Sequence, residues 1–132
     1  MTRLFLYGTL MRGFRNHDRM KSARFLGLAR TRDAAFRMVA CTAEPPYPFP
    51  GVIDGQSRIA GELYAVESDL LRMLDDFEEI GRDYTRETVT LGDGQDAEYY
   101  RLIYPDGLPV VRQHEQMHFD VRENCYRWIE TR

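Results

Sequence analysis

The sequence predicts an α+β fold, a closed or nearly closed β-barrel with α elements packed on it. Two observations predict it: many short strand-like runs separated by Gly and Asp turns, and a single clear amphipathic helix. No internal repeat or low-complexity tract interrupts the 132 residues, which fit one domain, 1–132.

Leu4-Phe5-Leu6-Tyr7 is a continuous apolar run stopped by Gly8, as expected of a buried strand entering a turn. Met11 to Met20 is polar and mixed, a loop with a helical turn around Asn16. Strands are predicted at Arg24–Leu28, Phe36–Ala40, Arg58–Val66, Tyr84–Leu91 and Glu98–Tyr104. Asp93-Gly94 and Asp106-Gly107 are turn signals between such runs. Four prolines crowd into Glu44 to Gly51, and because proline fixes φ and lacks a donor, this segment cannot be a central strand. A stiff loop bordering a pocket is expected there. Glu123 to Thr131 is read as a short helix with Cys125, Trp128 and Ile129 on one side.

The composition, 43% hydrophobic and 30% charged, is that of a globular protein. A net charge of −3 with mixed signs leaves no footprint for nucleic acid or an anionic membrane. Cys41 and Cys125 make no disulfide framework, and the Leu4–Tyr7 run is too short for a signal peptide or a membrane helix. A soluble, cytoplasmic protein is therefore expected.

The best helix is Asp69 to about Glu79, with Ser68 as its N-cap. At about 100° per residue, Leu70, Leu71, Met73, Leu74 and Phe77 share one broad arc. Asp75, Asp76 and Glu79 fall outside it. Glu78 falls inside, four residues after Leu74 and seven after Leu71. A carboxylate on an apolar face costs desolvation energy, which favours its neutral form unless donors hold it ionised. That is the condition a general acid/base needs near neutral pH. The bland alternative is a fraying helix end, with Glu78 reaching water or pairing with Arg82 or Arg86.

Tyr7-Gly8-Thr9-Leu10 ends the first strand abruptly. A glycine there lets a ligand approach the following amides, whose N–H groups can form an anion-binding concavity or an oxyanion hole. No further glycines follow at the spacing of a dinucleotide fingerprint.

Together these segments resemble the γ-glutamylcyclotransferase-like superfamily. The resemblance rests on Leu6-Tyr7-Gly8-Thr9-Leu10, Gly13, Asn16-His17 and Pro48-Phe49-Pro50-Gly51. It continues through Ile59-Ala60-Gly61-Glu62-Leu63-Tyr64-Ala65-Val66, Leu74-Asp75-Asp76-Phe77-Glu78 and Tyr84-Thr85-Arg86. The match runs from residue 3 to residue 91, and it is nearest to the γ-glutamylamine cyclotransferase branch. It implies a small mixed β-barrel with flanking α-helices and a small-molecule γ-glutamyl substrate. It further implies an acid/base role for Glu78, a substrate-binding Tyr7–Leu10 loop, and no cofactor. Tyr7 and Tyr84 are expected to wall the pocket. Two departures stand out: Glu79 replaces the glycine that often follows the catalytic glutamate, and no secure match extends beyond Tyr104. A binding module on the same barrel that has lost catalysis is the alternative.

One rival motif stands in the tail. His114-Glu115-Gln116-Met117-His118 matches the zinc-peptidase pattern H-E-x-x-H, which needs a helix to bring both imidazoles to one metal. Met117, Phe119 and Val121 alternate with polar residues instead, as in a strand, which separates the histidines by about 13 Å at ~3.3 Å per residue. No metal site is expected. Ser22, Ser57 and Ser68 stand in no nucleophile elbow, and neither cysteine has a basic neighbour in sequence.

Overall fold

The computed structural model describes residues 1–42, 48–78, 84–103 and 110–130. The expectations for Glu44 to Tyr47, Glu79, Arg82, Tyr104, Asp106-Gly107 and Thr131 lie outside the described residues.

The chain order is β1 (Thr2–Leu6), a 3-10 turn (His17–Met20), β2 (Arg24–Arg30), β3 (Phe36–Cys41), β4 (Phe49–Asp54) and β5 (Arg58–Val66). It continues with α1 (Ser68–Phe77), β6 (Tyr84–Thr90), β7 (Asp96–Leu102), β8 (Val110–Val111), β9 (Met117–Asp120) and β10 (Cys125–Trp128). Among the described residues, seven strands form one mixed sheet along the path β6-β7-β1-β5-β10-β9, with β2 also paired to β5. A smaller sheet runs β4-β3-β8. The mixed sheet curls into a half-barrel, in keeping with the expected α+β barrel class.

Strand β1 shows why its sequence is apolar without alternation. Leu4 and Leu6 face a core shared with Leu70 and Leu74 of α1, whereas Phe5 and Tyr7 face a second core with Met38, Val52, Tyr126 and Trp128. Both faces are covered from Leu4 onward, so the strand's polar residues, Thr2 and Arg3, are confined to its half-buried start. Strand β5 occupies the predicted range and is the hub. It pairs with β1 through Glu62–Val66, with β2 through Ala60–Ala65, and with β10 at Arg58 and Ile59. Gly61 is required by close approach, since a Cβ there would stand 2.0 Å from the Leu6 carbonyl oxygen.

Three expectations are corrected. The helix begins one residue early, at Ser68, with Glu67 in the extended cap position and no side-chain capping bond. Met73 is exposed, because the arc facing the core runs from Phe77 through Leu70 and Leu74 to Leu71, and Met73 lies about 40° beyond its edge at Phe77. The segment after Glu123 is strand β10, not a helix. Asn124, at φ 50°, and Asp120, whose Oδ1 accepts the N–H of Arg122 and Glu123, turn the chain back so that β10 pairs with both β9 and β5. Trp128 is thereby fully buried.

The loop expected over the proline segment is also corrected from Phe49 onward, where the chain is strand β4. Among the described residues β4 pairs only with β3 and so forms an edge, the position that Pro50, without a donor, tolerates.

The HEQMH segment is a turn followed by a strand rather than a helix. The His114 ring stacks on Trp128 at 5.9 Å, and its Nδ1 accepts the N–H of Gln116. His118 stands on β9 opposite Arg127 and is exposed. Strand structure begins only at Met117, so His114 is not on the predicted strand, and Phe119 and Val121 face solvent rather than a core. No helix among the described residues is long and apolar enough to cross a membrane.

Candidate active site

Where β1 ends, the chain makes a hydrogen-bonded turn from Gly8 to Met11, with the Met11 N–H donating to the Gly8 carbonyl at 3.1 Å. Such a turn leaves the N–H groups of Thr9 and Leu10 out of its own closing bond. Asn16 holds the turn from behind. Its Nδ2 donates to Thr9 Oγ1 at 2.9 Å, and its backbone N–H donates to the Thr9 carbonyl at 3.0 Å. His17 adds a contact from Nδ1 to the Leu10 carbonyl at 2.9 Å. The Gly13 and Asn16-His17 signals therefore belong to one loop folded back on itself.

Gly8 is needed for room. A Cβ there would stand 2.8 Å from Pro50 Cγ, so the proline of the edge strand closes directly over the glycine. Tyr84 secures the same wall by donating its hydroxyl to the Pro50 carbonyl at 2.9 Å. Tyr7 donates to the Tyr100 carbonyl, which ties the exit of β1 to β7.

These walls enclose a cavity of about 230 Å³. Tyr7, Gly8, Thr9, Leu10, Glu78 and Tyr84 all line it. The structure thus brings together every residue singled out as a site candidate in the sequence. Glu78 caps the C-terminal end of α1, and its N–H donates to the Leu74 carbonyl at 2.8 Å. Its φ of −81° and ψ of −1° keep it in the helical region, so its side chain continues the direction set by the turns before it.

Asp75 corrects the helical wheel. It was placed on the solvent side, yet it is half-buried and joins α1 to the sheet. Its Oδ1 accepts the Tyr100 hydroxyl at 2.8 Å, and its Oδ2 pairs with Arg86, which also reaches Glu98 at 2.9 Å. The Asp75 bond, first among the causes, raises the Arg86 pKa further. Burial raises the Tyr100 phenol above its usual range, reinforced by the bond to Asp75 and the charge of Glu78. Burial also holds the Tyr7 phenol well above its usual range, with Glu78 the next cause. Glu78 thus contributes to the upward shift of two phenols of the cavity wall.

Residues not anticipated from the sequence also line the cavity: Arg15, Asn16, Phe49, Pro50, Phe77 and Tyr100. Phe49 and Pro50 belong to the proline segment expected to border a pocket, though neither is named there as a site residue, and Asn16 and Phe77 lie within the motifs quoted above. Arg15 and Tyr100 carried no local signal. Among the described residues no group of three or more His, Cys, Asp or Glu side chains is arranged to hold a metal.

Fold and site together define a small cavity at the end of a half-barrel strand, with Glu78 the one carboxylate among the described residues that line it. The family described as gamma-glutamyl cyclotransferase, AIG2-like, matches residues 4–127, and the chain belongs to it. The match extends past Tyr104, so β9 and β10 are part of the family domain. A Mus musculus gamma-glutamylaminecyclotransferase is 39% identical over 99 residues, covering 65% of this chain and 60% of that protein. A Danio rerio gamma-glutamylaminecyclotransferase A is 33% identical over 109 residues, 74% of this chain and 66% of that protein. The chain thus spans about two thirds or less of these relatives' length. The crystal structure of an AIG2-like protein from Mus musculus superposes with a TM-score of 0.68 at 26% identity, covering 100% of this chain and 99% of that one.

Proposed function

We propose that this protein cyclises a γ-glutamyl amine or γ-glutamyl amino acid, releasing 5-oxoproline and the free amine, with Glu78 as general acid/base. The observation that carries the reading is that Glu78 and the Tyr7–Leu10 turn line one small cavity. Family membership and the amine-cyclotransferase relatives support the reaction class.

The chemistry asks little of the protein beyond placement. In a γ-glutamyl amide the α-amine and the γ-carbonyl belong to one molecule, and attack closes a five-membered lactam. Such an internal nucleophile has a high effective concentration once held in a near-attack pose. Glu78 takes a proton from the α-ammonium and the freed amine attacks the γ-carbon. The N–H groups of Thr9 and Leu10 stabilise the oxyanion as the tetrahedral intermediate forms. Glu78 then gives that proton to the departing nitrogen, and the γ-carbon–nitrogen bond breaks. The attacking nitrogen loses a second proton to the same carboxylate as it becomes the lactam N–H, and this proton leaves with the amine as its ammonium. Two protons thus pass from the α-nitrogen to the leaving nitrogen through one carboxyl group, a transfer that calls for no cofactor. Tyr7 and Tyr84, each fixed by its own hydroxyl bond, serve as walls against which the substrate is held.

The test is direct. Purified protein is incubated with a panel of γ-glutamyl amines and dipeptides, and 5-oxoproline is measured. Release by the wild type and not by Glu78→Gln supports the proposal. No release from any member of the panel, with 5-oxoproline still bound, favours the inactive binding module.

A further inference from the structure

Among the described residues, one acidic and one basic side chain line the cavity: Glu78 from the end of α1, and Arg15 from the loop beyond Leu10. The proposed mechanism uses only the first. Arg15 is not a loose surface cation. Its Nη2 donates to the Pro48 carbonyl at 2.9 Å, and its Nη1 stands 3.4 Å from Oε1 of Glu130. Its backbone N–H donates to the other oxygen of the same carboxylate at 3.1 Å. Glu130 itself is largely buried, with a side chain only 10% exposed. The guanidinium is therefore held from two sides, by the entry to β4 and by the residue pair after β10. Arg15 also directly precedes Asn16, which ties down Thr9, so cation and cradle belong to one hydrogen-bonded loop. Other arginines nearby are used differently: Arg12 is half-exposed and pairs with buried Glu62, and Arg19 lies over the Phe77 ring.

A planar guanidinium with five donors matches a carboxylate better than any other common side chain does. From this placement we infer that Arg15 is the carboxylate-recognition residue of the cavity. The inference rests on the cyclotransferase reading and sharpens it. Every γ-glutamyl substrate carries an α-carboxylate on the glutamyl part, and γ-glutamyl amino acids carry a second one on the leaving group. Both are the same chemistry to a guanidinium, and the arms of the experiment separate them.

The experiment compares wild type, Arg15→Gln and Arg15→Lys on γ-glutamylglycine and γ-glutamyl methylamide, reading KM and kcat separately. Calorimetry compares 5-oxoproline with 2-pyrrolidinone, which lacks the carboxylate. Loss of a charge-assisted pair should raise KM roughly 10- to 100-fold in Arg15→Gln with a smaller change in kcat. Arg15→Lys keeps the charge without the fork and should fall between. A rise on both substrates, with lost preference for 5-oxoproline over 2-pyrrolidinone, assigns the pair to the α-carboxylate. A rise on γ-glutamylglycine alone assigns it to the leaving group. KM within about twofold of wild type for both substrates and both variants overturns the inference. If the wild type turns over neither substrate, the cyclotransferase reading fails instead. Calorimetry with the uncleaved ligands still decides on Arg15: a wild type that binds 5-oxoproline no better than 2-pyrrolidinone, and γ-glutamylglycine no better than γ-glutamyl methylamide, overturns its role. Should Arg15→Gln fail to fold, Arg15→Lys carries the same test.

Discussion

The hydroxyl of Tyr7 donates to the backbone carbonyl of Tyr100, across strands that are neighbours in the sheet. Tyr7→Phe removes this bond and leaves a buried carbonyl without it. A loss of about 1–3 kcal/mol in stability is expected from denaturant unfolding. 5-Oxoproline release should fall as well, because Tyr7 lines the cavity. Unchanged stability and turnover would mean that the contact is incidental.

Glu78→Gln keeps shape and removes proton transfer. Turnover should drop by ~10²–10⁴-fold with 5-oxoproline binding nearly intact. Asp76→Asn, an exposed change two residues earlier, removes the same charge and should leave kcat/KM within about twofold. If neither change affects turnover, the acid/base lies elsewhere.

Asp75→Ala breaks two bonds at once, to Tyr100 and to Arg86, at the end of the helix that presents Glu78. Destabilisation of about 1–3 kcal/mol is expected, together with a fall in kcat. Asp69→Ala breaks an exposed pair with Arg72 on the first turn and should stay within about 0.5 kcal/mol. Equal effects from the two would remove any special place for Asp75.

Alkaline pH should unfold this protein. Burial raises the phenols of Tyr7, Tyr64, Tyr99 and Tyr100 above their ordinary value of 10.0, and raises the Cys125 thiol above 9.0. The unfolded chain gives up these protons first, so the native state binds more protons above those values. Stability from these groups is therefore complete below about pH 9 and declines as pH rises beyond it. Urea midpoints at pH 8, 10 and 11 check this, and Tyr100→Phe should flatten the decline. A midpoint that rises with pH would refute the sign.

Trp128 tests the architecture of the tail. Trp128→Ala should cost about 3–5 kcal/mol, as for a large side chain removed from a core. Its exposed neighbour Arg127→Ala should cost no more than about 0.5 kcal/mol. Comparable small effects at both positions would contradict burial of β10.

What could be read from the sequence was what local patterning controls. β5 took its predicted bounds, β1 lay buried on both faces, and Glu78 turned toward the cavity because helical phase carries through its αR backbone. What escaped depended on partners far along the chain. Cys125, Trp128 and Ile129 have a spacing compatible with a helix, and only the partners β5 and β9 make this segment a strand. Asp75 sits near the edge of the apolar arc, where its fate is decided by Arg86 and Tyr100 rather than by periodicity. Arg15 is one charged residue in a polar loop until Glu130 and Pro48 hold it against the cavity.

The central position of β5 also bears on the order in which the chain can acquire its structure. Its partners include Thr2–Leu6 at one extreme and Cys125–Tyr126 at the other. On a ribosome, the first strand and β5 can meet early, but the slot beside Arg58 and Ile59 stays empty until residues 125–126 have emerged, about 60 residues later. Closing such distant pairings is entropically expensive and slow. The nascent chain therefore carries an open stretch of sheet edge between the emergence of β5 and that of β10, an interval in which unpaired strand groups are open to wrong partners.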